Sequence, residues 1–446
     1  MDLILGVMLV LGVMILVHEW GHFIAARLCG VRVDVFSIGF GPRLFGWKRG
    51  ATDYRVSAIP LGGYVRMAGQ DLSEVDSTDQ APTGAPDELM SKPRWQRAFI
   101  AFAGPLVNLI FPVLLLVVYV VAIGIPYPAW EDNAVQVTAV PANSTAAAAG
   151  LEPGARVISI NGEATPNWDQ AERILGKIVP SSKLSLEVEK AGTRKTIEMV
   201  AQPKDVEQPE QLLGFAPVRP LLDDVALGMP AKRAGLKEND AIVAVDGQKI
   251  EWWGELTERI RGSNGKPVAL DVDRKGQLSR IVVTPQPATS ERGETLYQIG
   301  VQVHYDTAYR RVAFVEGARY AGLKTFETID ETLTVVGRLF TGRISVKQLQ
   351  SVVGISHAAG QAVRKGPQAV ISLMVLISVN LGILNLLPIP ILDGGNILLL
   401  AIEGGLRRDL SLAFKERFVQ VGLVFLLVLF AYVMYNDVVR LLPIHS

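Results

Sequence analysis

The sequence predicts a polytopic α-helical membrane protein with four transmembrane helices, a membrane-associated β segment and two external α/β domains. Of its 446 residues, 49% are hydrophobic, and 44 basic side chains balance 44 acidic ones. Four apolar runs approach the roughly 20 residues that cross a bilayer as a helix. These runs are Leu3–Leu28, Ala98–Ile125, Ala369–Ile391 and Phe418–Tyr435. The long region between the second and third runs contains an internal repeat.

The charge balance gives no indication of nucleic-acid binding.

Basic residues predict how the spans are oriented. Lys and Arg cluster after the first span, between Arg27 and Arg97, and after the third, between Arg407 and Arg417. Because cytoplasmic loops are enriched in these residues, both segments are predicted to face the cytoplasm. The region 126–367 and both termini then lie on the extracytoplasmic side. The single cysteine, Cys29, excludes an intrachain disulfide and a cysteine-based zinc site.

The predicted segments follow from these runs and from the repeat. In chain order they are 1–28 (first span), 29–97 (membrane-associated β region and cytoplasmic loop), 98–125 (second span), 126–215 and 216–305 (external domains), 306–368 (amphipathic helix and linker), 369–396 (third span), and 397–446 (cytoplasmic connection and fourth span).

The first span contains His18-Glu19-Trp20-Gly21-His22. On a helix, histidines four residues apart project from one face with Cβ atoms roughly 5–6 Å apart, so both imidazoles can bind one zinc ion. Glu19 lies about 100° around the helix from His18, where it can take a proton from a water at the metal. The alternative is a solvated polar end of a membrane helix, but ionisable side chains inside a span are costly and mostly functional.

The segment after the first span predicts a short β-sheet that dips towards the membrane. Residues 39–42 and 54–66 combine apolar and β-favouring residues with Gly and Pro, which favours strands over a fifth span. An exposed strand edge could pair with an unwound substrate, whose carbonyls are otherwise shielded by helical hydrogen bonds. The acidic segment Asp71–Glu88 is predicted to form a cytoplasmic loop.

The external region repeats itself at a constant offset of 85 residues (235 − 150 = 85). The matched pairs are Ala149-Gly150-Leu151 with Ala234-Gly235-Leu236, Gly162 with Gly247, and Trp168 with Trp253. Each copy predicts a short helix, a strand (156–160 or 241–245) and a tight Asx-Gly turn. The pattern resembles the PDZ domain, which implies strand addition of extended peptides or free C-termini. A steric cap without peptide binding is the other interpretation.

An amphipathic helix is predicted ahead of the third span. Apolar residues recur at steps of three and four, namely Leu323, Phe326, Ile329, Leu333, Val336 and Leu339. Such a stripe is typical of a helix on the membrane surface, and equally of one packed on a core.

Asp393, at the end of the third span, is the candidate for a third metal ligand, because catalytic zinc sites usually have three protein ligands and a water. The first and third spans run in the same direction, so Asp393 and the histidines approach the same depth. Pro388 and Pro390 break the helix there, which a membrane tolerates only beside protein or a wet cavity. Asp393 as an N-cap or interfacial residue is the alternative. Asn380 and Asn385 could bind a substrate backbone or a neighbouring helix.

Together these motifs resemble the site-2 protease family of intramembrane zinc metalloproteases, in particular its bacterial type with tandem PDZ domains. The matching segments are the His18–His22 motif, Gly39–Pro42, Ile59–Val65, Gly104-Pro105 with Asn108, both repeats, and Asn385–Gly395. The resemblance implies that His18, His22 and Asp393 bind Zn²⁺, that Glu19 is the catalytic base, and that Asn385 contacts substrate. Asn396 departs from the family pattern, because many relatives have His there.

The resemblance also implies a multi-pass protein of the inner (cytoplasmic) membrane. Its expected substrates are single-span membrane proteins, either anti-sigma factors already trimmed outside the membrane or remnant signal peptides. Two other functions remain open, namely a non-catalytic PDZ scaffold in the membrane and a zinc transporter.

Overall fold

The computed structural model describes residues 6, 8–69, 83–141, 144–202, 205, 210–226, 228–289, 295–341 and 352–441. They form two compact units. The first contains the described residues up to Ile125 and from Arg311 onward, and the second contains those of Pro126–Arg310. Most of the predicted acidic loop at 71–88 lies outside the described residues.

The described helices and strands are numbered in chain order. The helices are α1 (Val13–Leu28), α2 (Arg94–Ala122), α3 (Thr145–Ala148), α4 (Trp168–Leu175), α5 (Glu210–Leu213), α6 (Pro230–Arg233), α7 (Trp253–Gly262), α8 (Phe314–Phe340), α9 (Val352–Lys365), α10 (Pro367–Asn385), α11 (Asp393–Leu406) and α12 (Leu412–Leu441). The strands are β1 (Val33–Arg49), β2 (Thr52–Met67), β3 (Ile125–Pro128), β4 (Arg156–Ile160), β5 (Glu163–Ala164), β6 (Lys183–Lys190), β7 (Thr193–Val200), β8 (Leu222–Val225), β9 (Ala241–Val245), β10 (Gln248–Lys249), β11 (Val268–Arg274), β12 (Gln277–Val283), β13 (Gln286–Thr289), β14 (Thr295–Gln298), β15 (Val301–Val303) and β16 (Thr307–Arg310). A π-helical turn, Met8–Gly12, precedes α1.

Three helices in the described part of the chain are long and apolar enough to cross a membrane, namely α2, α10 and the Ala413–Tyr435 part of α12. They coincide with the second, third and fourth predicted spans. The first predicted span starts at Leu3, outside the described residues, and its main described part is the 16-residue α1. The count of four spans therefore stays a prediction.

The helix of the third predicted span, α10, is shorter than the apolar run that predicted it. That run extends to Ile391, whereas α10 ends at Asn385. Pro388 and Pro390 lack the N–H that a helix needs and disfavour helical geometry in the residues before them, so the chain leaves the helix ahead of both.

The first two helices pack with their backbones almost in contact. A Cβ added at Gly21 would lie 2.5 Å from the Ala103 carbonyl oxygen, so only glycine permits this approach. Buried residues of α1, of α2 and of the β1–β2 hairpin that connects them share one core, which includes Ala25, Val65 and Ile100. The hairpin pairs β1 with β2 in antiparallel register, with several bulges.

The long helix α8 buries its small and polar residues and exposes its apolar stripe. Ala321, Thr325, Thr328 and Thr332 are buried, whereas Leu323, Phe326 and Leu333 are 52–69% exposed. The helix packs on its neighbours through Ala321 and the threonines, so these three residues of the apolar stripe are not its packing face.

The second unit contains the repeat as two copies of one arrangement. Each copy forms a four-stranded antiparallel sheet, ordered β5-β4-β6-β7 in the first and β10-β9-β11-β12 in the second. Each has its own hydrophobic core. The turn residues Asn161, Gly162, Asp246 and Gly247 all have positive φ, as the predicted Asx-Gly hairpin turns require.

Candidate metal centre

His18, His22 and Asp393 meet inside the first unit. Both histidines lie on one face of α1 and are buried, at 6% and 9% exposure. Their Nε2 atoms are 3.1 Å apart. Asp393 Oδ2 lies 3.2 Å from His18 Nε2, and Oδ1 lies 3.4 Å from His22 Nε2. The structure therefore brings together the three side chains that the sequence nominated from distant segments.

The spacing of these atoms fits a zinc ion. A tetrahedral zinc with bonds of about 2.0–2.1 Å holds its ligand atoms roughly 3.3–3.4 Å apart. The two Nε2 atoms are 3.1 Å apart, and each is 3.2–3.4 Å from one carboxylate oxygen of Asp393, Oδ2 for His18 and Oδ1 for His22, which is close to that value. Two imidazoles and one carboxylate are also a common donor set for a catalytic zinc, with a fourth position left for water.

Asp393 reaches the histidines because of the irregular segment between α10 and α11. It is the first residue of α11. Added Cβ atoms at Gly394 and Gly395 would lie 2.3 and 2.2 Å from backbone carbonyl oxygens of residues 386 and 389. Ile391 has φ +79°, a left-handed conformation that is strained for a β-branched residue. A strained and tightly packed turn thus carries the aspartate.

The histidine rings lie against α2. His22 Nδ1 donates to the Ile100 carbonyl at 2.8 Å, and His18 Nδ1 lies 3.1 Å from the amide of Asn108. Between these partners is Gly104, where an added Cβ would lie 2.3 Å from His22 Nε2. The sequence nominated neither partner for a site role. Asn108 was noted only as part of a segment that matches the family, although a polar residue inside an apolar helix is itself a signal of a specific role.

Glu19 shares a cavity of about 440 Å³ with the metal-ligand candidates. The cavity is also lined by Tyr64, Arg97, Asn385 and Asn396. A Cβ added at Gly63 of β2 would lie 3.6 Å from Glu19 Cγ, so Glu19 lies beside that strand. A water or a peptide in the cavity would therefore be within reach of both the carboxylate and the strand.

The two nominated asparagines differ in position. Asn385 Nδ2 lies 3.3 Å from His18 Nε2, at the centre. Asn380 Oδ1 accepts a hydrogen bond from Thr332 Oγ of α8 at 3.0 Å, and it is absent from the described residues that line the cavity. Asn380 thus joins two helices, which is the alternative that the sequence left open.

A buried ionic cluster that lines the same cavity was not foreseen. Glu403 of α11 is 1% exposed and lies 2.9 Å from Lys415 Nζ and 3.5 Å from an Arg97 nitrogen. The Leu410 N–H also donates to it, at 3.0 Å. Nothing in the local pattern around Glu403 distinguishes it from a solvated helix residue, because its partners come from α2 and α12.

Comparison with known proteins matches this geometry to a family. The sequence profile of peptidase family M50 matches residues 6–429. The chain belongs to peptidase family M50. Similar relatives of this M50 chain are the regulators of sigma-E protease RseP of Salmonella typhimurium and of Escherichia coli, 33% and 32% identical. A putative zinc metalloprotease of Vibrio cholerae is 31% identical. Each alignment covers 97% of this chain and 97% of the relative.

This M50 peptidase is a zinc metalloprotease of the site-2 type and a membrane protein. A solved PDZ domain of an SdrC-like protein from Listeria monocytogenes is 18% identical and covers 20% of this chain and 90% of its own, with a TM-score of 0.17. A likeness of that size is too slight to establish the fold of the repeats.

Proposed function

We propose that this chain hydrolyses a peptide bond in or near the transmembrane segment of a single-span membrane protein, with zinc held by His18, His22 and Asp393. The convergence of those three donors with Glu19 in one cavity, within a unit built of membrane-type helices, supports this most directly. Two neutral imidazoles and a carboxylate leave one net positive charge on a bound Zn²⁺, which suits activation of water.

The residues around the cavity divide the reaction between them. When bound, zinc supplies Lewis-acid activation of the attacking water and of the scissile carbonyl. Glu19 takes the proton from that water and passes it to the leaving nitrogen. Asn385, 3.3 Å from His18, donates its amide N–H to the substrate backbone. An unwound substrate pairs with β2 beside Glu19.

The substrate follows from the membrane setting and from the relatives. Because similar proteins are named regulators of sigma-E protease, we propose a single-span anti-sigma factor already trimmed outside the membrane, with remnant signal peptides as a second source. The two repeats act as PDZ-like domains that bind an extended peptide or a free C-terminus. They lie, with both termini, on the extracytoplasmic side of the inner membrane, and the exposed stripe of α8 contacts lipid.

A non-catalytic scaffold is the alternative function. It would need the repeats but would have no use for three donors, a carboxylate base and a shared cavity. Transport of zinc is a weaker fit, because three ligands with one open position suit catalysis.

The decisive experiment uses the purified full-length chain with a single-span substrate. We expect cleavage to stop with a chelator and to return with zinc. Glu19→Gln should retain zinc but lose about 10²–10⁴-fold in rate, because general base catalysis is lost, while Asp393→Asn should lose zinc. Glu316→Gln on the exposed side of α8 is the control and should cleave normally. Full activity of Glu19→Gln, or zinc-independent cleavage, would refute the proposal.

A further inference from the structure

The two histidines contact α2 in a matched way. His22 Nδ1 donates to the Ile100 carbonyl, and His18 Nδ1 lies against the amide of Asn108. Ile100 and Asn108 are each four residues from Gly104, and the histidines are four residues apart on a neighbouring helix. One turn of α1 therefore meets two turns of α2, with the bare Gly104 backbone between the rings.

Asn108 is 0% exposed and sits inside an apolar helix. A buried amide is costly unless it is hydrogen-bonded. Ser378 Oγ donates to the backbone carbonyl of Asn108 at 2.7 Å and not to its side chain. Within the described residues, the Asn108 side chain makes one hydrogen bond, from Nδ2 to His18 Nδ1. Its buried Oδ1 has no partner there.

The orientation of the amide decides which nitrogen of His18 carries the proton. With Nδ2 facing His18, the amide can only donate, so Nδ1 must accept and Nε2 must carry the proton. Nε2, however, faces His22 and Asp393 at 3.1 and 3.2 Å, where a metal ligand needs its lone pair. Turning the amide by 180° exchanges two atoms of nearly equal size. In the turned amide, Asn108 Oδ1 faces His18 Nδ1 and accepts its proton.

We propose that Asn108 is a positioning residue for His18. Its Oδ1 accepts the His18 Nδ1 proton and so directs the Nε2 lone pair at the point shared with His22 and Asp393. The Ile100 carbonyl does the same for His22. This inference rests on the proposed function, in which His18 binds zinc. Partners of this kind fix the tautomer and the ring orientation of metal-binding histidines.

The test measures metal affinity and not activity. Zinc affinity of the purified full-length chain is determined by chelator competition, and Co²⁺ absorption reports the ligand geometry. Asn108→Leu, similar in size but without an acceptor, should weaken zinc binding about 10–100-fold. Asn108→Asp keeps an acceptor and should bind zinc at least as tightly as the wild type. Ser378→Ala, which removes the neighbouring backbone contact, is the control and should not change the affinity.

The order of the two variants separates positioning from packing. If Asn108 only filled space between helices, a buried carboxylate would disturb the site more than a leucine does. A lower zinc affinity in Asn108→Asp than in Asn108→Leu therefore contradicts the proposal. Wild-type affinity in Asn108→Leu contradicts it as well. Should the leucine variant not fold, an affinity of Asn108→Asp below that of the wild type is sufficient to overturn it.

A further variant distinguishes this failure from a failure of the proposed function. If His18→Ala retains the full zinc stoichiometry, then His18 is not a ligand and the proposed function is wrong. If His18→Ala loses the metal while Asn108→Leu binds it normally, only the role of Asn108 is wrong.

Discussion

At the scale of single residues, the candidate metal centre depends on the missing side chain of Gly104. A Cβ there would lie 2.3 Å from His22 Nε2 and 2.9 Å from His18 Cε1. Ordinary contacts between heavy atoms are about 3.5–4.0 Å. The two imidazole rings occupy the space that a side chain at this position would fill, so the site requires glycine there.

We therefore expect Gly104→Ala to displace both imidazoles and to lower zinc affinity at least tenfold, measured by chelator competition. Gly322→Ala in α8, where an added Cβ meets nothing within 4 Å, is the matched control and should keep its zinc. Equal zinc affinity in the two variants would mean that α1 and α2 can separate at no cost.

A charge pair in the second repeat also acts at this scale. Asp240 is 0% exposed and accepts hydrogen bonds from Arg274 at 2.7 and 2.8 Å and from the Lys237 N–H at 2.8 Å. Burial disfavours the charged carboxylate, but these donors outweigh it, so the pKa of Asp240 is lowered. The first repeat lacks this pair, because the residue 85 positions before Asp240 is Ala155 (240 − 85 = 155). The counterpart of Arg274 is Lys190, since each is the last residue of its strand and pairs across a two-residue turn, Arg274 with Gln277 and Lys190 with Thr193.

Asp240→Asn should destabilise the second repeat by about 1–3 kcal/mol at neutral pH, because Arg274 loses a charged acceptor. Hydrogen exchange of β9 and β11 in the full chain measures this. Since the pKa of Asp240 is lowered in the folded state, the extra stability of the wild type over the variant is fully present above the pKa of an unfolded aspartate, about 3.9. It is lost as the pH falls through the lowered value. An advantage independent of pH would exclude this electrostatic origin.

At the scale of elements, α8 and α10 are joined by a hydrogen bond between polar side chains. Thr332 Oγ donates to Asn380 Oδ1, and the buried face of α8 carries three threonines, Thr325, Thr328 and Thr332. Between membrane helices, small hydroxyl residues allow close approach and provide hydrogen bonds. This arrangement explains why the apolar side of α8 points outward.

Thr332→Val and Asn380→Leu should each destabilise the bundle, with a coupling energy of about 0.5–1.5 kcal/mol in a double-mutant cycle. Equilibrium unfolding in mixed detergent gives the four free energies. Neither change should raise KM for a single-span substrate. A rise in KM for Asn380→Leu alone would restore Asn380 as a substrate contact.

At the scale of the whole molecule, the candidate centre belongs to one unit. His18, His22 and Asp393 all lie in the unit formed by residues up to 125 and from 311 onward, whereas each repeat of the other unit has its own core. Bound metal stabilises the structure that contains its ligands. Its removal should therefore act on one unit.

We expect chelation to increase hydrogen exchange in α1 and at the start of α11, and to leave β4, β6, β9 and β11 unchanged. Mass spectrometry of the full chain with and without chelator resolves these segments, and restored zinc should reverse the effect. Increased exchange throughout the repeats would show that their stability depends on the metal.

The local pattern was sufficient for several helices and turns and for part of the site. The His18–His22 spacing predicts one helical face because helical geometry repeats every 3.6 residues. Similarly, the offset of 85 predicts two equivalent folds because equal patterns bury equal faces. Asp393 was accessible to sequence reasoning because span direction and helix-breaking prolines limit its depth.

Only the tertiary structure decided which side chains meet across helices. Asn108, Ile100 and Glu403 acquired their positions from the rotation of α2, α11 and α12 about their own axes. An apolar run does not encode that rotation, because nearly every face of such a helix is equally hydrophobic. Asn380 and Asn385 lie five residues apart on α10 and look alike in the sequence, yet one contacts α8 and the other reaches His18. The sequence by itself determined the chemistry available; packing determined which groups converge, because convergence depends on contacts between residues hundreds of positions apart.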